Sequence, residues 1–212
     1  MQKLNRTEAL RYMGYGSNLP DEKMTALIDR CEEELLEAVK PKFIFAAFDK
    51  DKCPVRLSGN DIAKHLEKSE KVVFMAATLG ANADRLIRMA EVREMAQAII
   101  LDALASTAIE QVCDDAEKAI HEKFPDYYMT WRYSPGYGDF PIDIQGDFLK
   151  VLDAPKKIGL CANSSNILTP RKSVTAVIGL SKEKPEQKKS GCQSCNLKGT
   201  CQFRQKGERC GF

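Results

Sequence analysis

The chain has 212 residues, of which 43% are hydrophobic and 29% are charged, a balance that is ordinary for a soluble globular protein. Its formal net charge of +2 gives no electrostatic case for nucleic acid or an anionic membrane surface as a partner. The sequence has no run of about 18 apolar residues and no signal-peptide core at its N-terminus, so we expect a cytoplasmic protein with no membrane or nucleic-acid partner.

Helical spacing and strand-like apolar runs alternate in the first half of the chain. Apolar residues recur at helical spacing in two segments and Asn60 or Asp61 suits the start of a third, which predicts helices over residues 7–13, 20–39 and 60–66. Short apolar runs bounded by turns predict buried strands over residues 43–48 and 72–78. A turn at 49–52 followed by Val55-Arg-Leu57 predicts a hairpin partner for the first strand.

The second half begins with residues 82–123, which are almost entirely helix-favouring. One helix of that length would span roughly 60 Å at about 1.5 Å per residue, so two helices or a pronounced kink are expected. Further strands are predicted over residues 127–133, 165–168 and 174–180, and a helix over 144–152. Helices and strands are mixed without regular alternation, which predicts an α+β fold rather than a doubly wound sheet.

The segment from Arg132 to Pro141 combines a permanent positive charge with a glycine-rich turn and an aromatic ring. Pro135, Gly136 and Gly138 build the turn, which lets the backbone approach a ligand closely because glycine has no Cβ. A guanidinium can bind a carboxylate or phosphate through two parallel hydrogen bonds. The pattern suits a small ligand that carries both a carboxylate and a flat ring.

The C-terminal end differs in composition from the body, which we assign to residues 1–180. Residues 181–191 form a charged linker, and residues 192–212 form a cysteine-rich tail with few apolar residues. Four cysteines fall in this tail, at positions Cys192, Cys195, Cys201 and Cys210. Their spacing predicts an iron–sulfur cluster, with zinc as the alternative and unmetallated or redox thiols as the third reading. The four cysteines of the body are predicted to be small core residues, and His65 and His121 to lie on the surface.

The motif Arg132-x-x-x-Gly136-Tyr137 resembles the S-adenosylmethionine-binding signature of the activation domain of cobalamin-dependent methionine synthase. Leu10-Arg-Tyr-Met-Gly14, Thr78-Leu-Gly80 and the alanine-rich helix before Glu110 also resemble standalone members of that family. The resemblance covers about residues 1–180. It implies an α+β fold with a twisted antiparallel sheet and flanking helices, to which this chain adds the cysteine-rich tail.

The resemblance also implies a function. Members bind S-adenosylmethionine and present its methyl group to a cobalamin carried by a partner, a cobalamin-binding methyltransferase or other corrinoid protein. One external electron and this methyl group convert inactive cob(II)alamin to methylcobalamin, with flavodoxin or ferredoxin as a possible electron donor. This chain would then be a standalone reactivation protein with methyltransferase chemistry, and methionine synthase would be its first candidate partner.

Residue by residue, the resemblance assigns Arg132 to the ligand carboxylate and Tyr137 to the adenosine site. Ser134 and Gly136 match backbone-contact positions. Glu110 matches a ligand-binding glutamate, although Asp102 lies two turns earlier on the same predicted helix and competes for that assignment. The fused domain carries a tyrosine near its late strand where this chain has Lys172-Ser-Val-Thr, which leaves that contact without a counterpart.

Two alternative functions remain from the sequence. The chain could activate a different corrinoid protein, or it could be a non-catalytic interaction protein stapled by a metal in its tail. A methyltransferase of the common fold is disfavoured because no strand–GxGxG–helix motif is present.

Overall fold

The computed structural model of the chain describes residues 3–15 and 18–184, and it is an α+β fold. The described α-helices are α1 Arg6–Tyr12, α2 Glu22–Ala38, α3 Asn60–His65, α4 Ala81–Arg93, α5 Met95–Lys123, α6 Gln145–Leu152 and α7 Ala154–Ile158. The described strands are β1 Lys42–Asp49, β2 Lys71–Thr78, β3 Tyr128–Met129, β4 Cys161–Ala162, β5 Leu168–Thr169 and β6 Ser173–Ser181. Most of the predicted linker and all four tail cysteines lie outside the described residues.

The helix-favouring stretch after residue 80 forms two helices, as the sequence predicts. α4 and α5 meet at Glu94, whose extended backbone (φ −154°, ψ 108°) ends one helix before the next begins. The predicted helices over 7–13, 20–39 and 144–152 are confirmed as α1, α2 and α6. Asp21 caps α2, because its Oδ1 accepts the backbone N–H of Met24 at 2.8 Å.

Four strands form an antiparallel sheet in the order β1-β2-β6-β3. The partner of β1 is β2, so the predicted hairpin between β1 and residues 55–57 is wrong. Val55 and Leu57 are not in a strand; Val55 is buried and Leu57 partly buried against the sheet in the same apolar cluster. The apolar side chains that suggested a strand therefore serve packing instead.

Helices cover both faces of the sheet, which explains why β2 is apolar at nearly every position. Val73, Met75 and Ala77 point into the cluster formed with α1, α2, α4 and α5. Phe74 points the other way, into the cluster with α3, α6 and α7, and its ring stacks on that of Phe148 with centroids 4.6 Å apart. The sheet is the middle of three layers.

The late strands are shorter than the sequence predicts, except β6. The predicted strand over 127–133 keeps regular pairing only in β3, and the one over 165–168 forms only the end of a small hairpin, in which β5 pairs with β4. The sequence pattern overestimated both because local apolar content says nothing about where a pairing partner ends.

Two predictions about individual side chains are wrong. His65 is buried rather than on the surface, because α3 turns it toward the sheet, where its Nε2 lies 2.8 Å from Thr130 Oγ1. Cys161 is exposed at the edge of the small hairpin and Cys53 is only half-buried, whereas Cys31 and Cys113 are core residues as predicted.

No described helix combines the length and the apolar composition that a membrane span needs.

Candidate ligand-binding site

The segment that follows β3 continues to pair with β6, but it contains one residue more than the matching stretch of β6. Thr130 N–H donates to Gly179 O at 2.9 Å, which extends the β3 register by one pair. Tyr133 and Val177 then exchange two backbone hydrogen bonds, of 3.0 and 2.8 Å. Three steps along this segment thus match two steps along β6, which defines a β-bulge at Trp131 and Arg132.

The bulge decides where the charged side chain of Arg132 goes. In an unbroken register Arg132 would lie opposite Val177, whose side chain belongs to the apolar cluster with α6. Tyr133 takes that place and packs against the cluster, while Arg132 reaches α5 on the other side of the sheet. Trp131 stands edge-on to His65, with ring centroids 4.7 Å apart, and keeps 36% of its surface exposed.

Three carboxylates of α5 surround the Arg132 guanidinium. Nη2 lies 2.9 Å from Glu110 Oε2, and Nη1 lies 2.9 Å from Asp114 Oδ1 and 3.5 Å from Glu117 Oε1. Spacings of four and three residues put these acids on one helix face. We call these four residues the Arg132 cluster; with every group ionised it carries an excess of two negative charges.

Burial and charge shift the pKa values within this cluster. Burial raises the pKa of the Glu117 carboxyl, Arg132 opposes that shift, and the neighbouring acids reinforce it. Burial by itself lowers the pKa of Arg132, but the hydrogen bond to Asp114 and the nearby negative charges raise it overall. Cys113, behind the cluster, has a pKa raised by burial to about 12, so it is a neutral thiol and not a nucleophile.

An open groove of about 520 Å³ lies beside the Arg132 cluster, within the size range of small-ligand sites. Its lining combines charged, polar and aromatic groups and consists of Glu117, Met129, Thr130, Trp131 and Arg132. The bulge therefore creates both the ion cluster and the groove next to it.

The glycine turn follows directly and is closed by its own backbone. Gly136 N–H donates to Phe140 O at 2.8 Å, and Tyr137 N–H donates to Ser134 O at 3.3 Å. Gly136 has φ +90°, a conformation that favours glycine, and the atoms nearest to the position of a Cβ belong to Ile142, at 3.5 Å or more. Tyr137 sits at the turn with 67% of its surface exposed. Among the described residues, the turn thus presents an exposed glycine backbone and an exposed aromatic ring.

An acidic residue that sequence reasoning missed fastens this turn to α3. Asp139 Oδ2 accepts the N–H of Asn60 at 2.6 Å and Oδ1 accepts the N–H of Asp61 at 2.9 Å. The sequence suggested Asn60 or Asp61 as the cap of α3, and this prediction is wrong. The cap position is Gly59, which has no side chain. These backbone hydrogen bonds hold the pKa of Asp139 below its ordinary value. The sequence did offer one signal: Gly59 at the cap position has no side chain, so a residue from another segment must accept the first N–H groups of α3.

The two acids that competed for the ligand role are in different places. Glu110 belongs to the Arg132 cluster, whereas the Asp102 carboxylate lies 2.9 Å from Lys172 Nζ. Lys172 also donates to Ser106 Oγ at 2.9 Å, and its side chain is 15% exposed. Lys172 therefore links the start of β6 to α5 and engages Asp102.

Metal ligands do not cluster in the part of the chain that the structure describes: residues 3–15 and 18–184 contain no group of three or more His, Cys, Asp or Glu side chains able to hold a metal ion. The predicted tail site at Cys192, Cys195, Cys201 and Cys210 lies beyond this region and stays a prediction.

The described residues thus form an antiparallel sheet between two layers of helices, and comparison with solved structures identifies this fold. The chain has the fold of the MetH reactivation domain. A crystal structure of that domain bound to AdoHcy is similar with a TM-score of 0.65, covering 98% of this chain and 82% of that chain at 14% sequence identity. No model of a known protein family matches the sequence, and no curated protein does.

Proposed function

We propose that this chain binds S-adenosylmethionine at the bulge and glycine turn, residues 131–140, and acts as a standalone reactivation protein for a cobalamin-dependent methyltransferase, with methionine synthase the first candidate. The fold match over 98% of the chain to a reactivation domain bound to AdoHcy carries this proposal. AdoHcy is S-adenosylmethionine without its transferable methyl group, so both compounds share the adenosine and amino-acid ends that a site would recognise.

The charges of the site fit such a ligand. S-adenosylmethionine has a sulfonium and an ammonium group against one carboxylate, so it is a net cation, and the Arg132 cluster is net negative. A guanidinium has five N–H donors, and hydrogen bonds to Glu110 and Asp114 occupy two of them among the described residues. Arg132 can therefore bind the ligand carboxylate while α5 keeps holding it in place.

The remaining contacts are assigned by position. Tyr137, exposed and beside the open backbone of Gly136, is proposed to contact the adenosine, and Ser134 to contribute its main chain. Glu110, adjacent to Arg132, is proposed to hold the ammonium group or a ribose hydroxyl. Asp102 is left out of this revised assignment because its carboxylate lies with Lys172 and not beside Arg132.

The proposed reaction needs a partner that carries the corrinoid. One electron from a flavodoxin- or ferredoxin-type donor reduces cob(II)alamin on the partner, and the sulfonium supplies the methyl group, leaving AdoHcy. The chain's own residues bind and orient the ligand in this scheme.

We retain the prediction of an iron–sulfur cluster, or alternatively zinc, at the tail cysteines. If metal analysis finds neither iron nor zinc in anaerobically purified protein, this prediction is contradicted.

Calorimetric titration with S-adenosylmethionine tests the binding half of the proposal. Arg132→Ala should weaken binding by at least about tenfold, because a charge-assisted bidentate contact is lost, and Arg132→Lys should recover only part of it. Arg6→Ala is the matched control: Arg6 also bridges two acids, Asp29 at 2.5 Å and Glu32 at 3.1 Å, but at α1 and α2. The proposal is contradicted if wild-type protein shows no saturable binding. It is also contradicted if wild type and Arg132→Ala bind with equal affinity.

A further inference from the structure

The turn that carries Tyr137 is tied to α3 by hydrogen bonds that run in both directions. The Asp139 carboxylate accepts two N–H groups from the first turn of α3, those of Asn60 and Asp61. In return, Asp139 N–H donates to Asp61 Oδ2 at 3.3 Å. The two segments are 78 residues apart in the sequence, so these contacts fix a long-range position rather than a local turn.

The approach of the two segments is so close that each requires a glycine. A Cβ on Gly138 would overlap Asp61 Oδ2, and Gly138 itself has φ +54°. A Cβ on Gly59 would lie 2.7 Å from Asp139 Oδ1 and 2.8 Å from Asp139 O, at φ +125°. We call the hydrogen bonds of Asp139 with Asn60 and Asp61 the interlock; Gly59 lies on the α3 side of it and Gly138 on the turn side.

The interlock sits immediately behind the proposed adenosine contact. Tyr137 is two residues from Asp139, and Tyr137 O accepts a 3.5 Å hydrogen bond from Tyr133 OH. The remaining backbone hydrogen bonds at Gly136 and Phe140 stay within the turn itself and do not anchor it to the rest of the protein. Without the Asp139 carboxylate, the turn would retain its shape but lose two of its ties to α3.

We propose that Asp139 is a positioning residue for the ligand site: it caps α3 from the turn and thereby holds Gly136 and Tyr137 in their binding arrangement before the ligand arrives. This inference rests on the proposed function. Its physical basis is preorganisation, since a turn that is already ordered loses less conformational entropy when the ligand binds.

The test compares Asp139→Ala, Asp139→Asn and Asp21→Ala by titration with S-adenosylmethionine. Asp21→Ala is the matched control because it also removes a carboxylate that caps a helix, α2, remote from the turn. Asp139→Ala should weaken binding about tenfold, whereas Asp21→Ala should change it less than about twofold despite a comparable loss of thermal stability. Asp139→Asn keeps one oxygen acceptor and should be intermediate; it also carries the test if the alanine variant does not fold.

Hydrogen exchange of the ligand-free proteins provides a second readout. The amides of Gly136 and Phe140 should exchange faster in the Asp139 variants than in wild type and Asp21→Ala. If wild-type protein binds the ligand and the Asp139 variants bind equally well, the positioning role is overturned while the proposed function stands. If wild-type protein does not bind, both are overturned.

Discussion

At the scale of single residues, Thr130 is the last residue in register before the bulge. Its hydroxyl oxygen accepts the N–H of Gly179 at 2.8 Å and lies 2.8 Å from His65 Nε2. Its own N–H donates to Gly179 O. Thr130 as a whole is only 8% exposed, so these groups depend on each other rather than on solvent. Thr130 thus joins β6, α3 and the start of the bulged segment.

Thr130→Val should lower the free energy of unfolding by about 1–3 kcal/mol, because a buried N–H at Gly179 loses its acceptor while the side-chain volume is kept. Thr130→Ser retains the hydroxyl and should lose less than half of that amount. Urea unfolding of the two variants gives the comparison. Equal stability of Thr130→Val and wild type would mean that the hydroxyl is not needed to hold this junction.

The sequence singled out Arg132, Gly136 and Tyr137 because a guanidinium, a glycine turn and an aromatic ring in one short segment suit a small ligand, and their ligand role stays a prediction. It did not reveal His65 or Asp139, whose partners lie 65 and 78 or more residues away and leave no local signature. A carboxylate that caps a distant helix looks like any surface aspartate until the two segments are seen together.

At the scale of elements, α5 organises the site through the periodicity of its acids. Glu110, Asp114 and Glu117 share one face toward Arg132, while Asp102 faces Lys172. Glu117 is the most distant of the three from the guanidinium and the one whose pKa is raised by burial. The folded protein therefore binds a proton at Glu117 more readily than the unfolded chain does. The stability that Glu117 contributes is present below the ordinary pKa of 4.5 and is lost as pH rises through its raised pKa in the folded protein.

Glu117→Gln should accordingly be at least as stable as wild type at pH 7, with a gain of up to about 1 kcal/mol. The gain should shrink as pH falls through the raised pKa of Glu117, because the wild-type carboxyl then takes up a proton and loses its charge. Glu33→Gln, at an exposed position of α2, should show a difference below about 0.5 kcal/mol at every pH. Denaturant unfolding at several pH values measures both; a Glu117→Gln variant clearly less stable at pH 7 would mean that the ion pair with Arg132 outweighs burial.

The same scale shows why some elements could be predicted and others could not. The long helices carry a 3.6-residue period over many residues, and β2 and β6 are apolar runs, so each is readable in isolation. The bulge is defined only by counting residues against β6, and residues 55–57 look like a strand because their apolar side chains pack without pairing. Pairing partners, unlike periodicity, are a property of the whole fold.

At the scale of the whole molecule, the site depends on the sheet being covered on both faces. α5 lies on one face and supplies the carboxylates, and α3 and α6 lie on the other and support the glycine turn and Tyr133. The bulged segment beside β6 crosses between these layers and sends Arg132 to one and Tyr133 to the other. The α+β class and the sheet with flanking helices were predicted from the sequence and its family resemblance, and both are confirmed.

The most direct test uses the chain's single tryptophan, Trp131, which lines the groove and is 36% exposed. Its fluorescence, excited where adenine does not absorb, should change saturably as S-adenosylmethionine is added, with the dissociation constant found by calorimetry. AdoHcy should compete for the same change. A calorimetric binding curve with no change at Trp131 would place the ligand elsewhere, and no saturable signal by either method would contradict the proposed function itself.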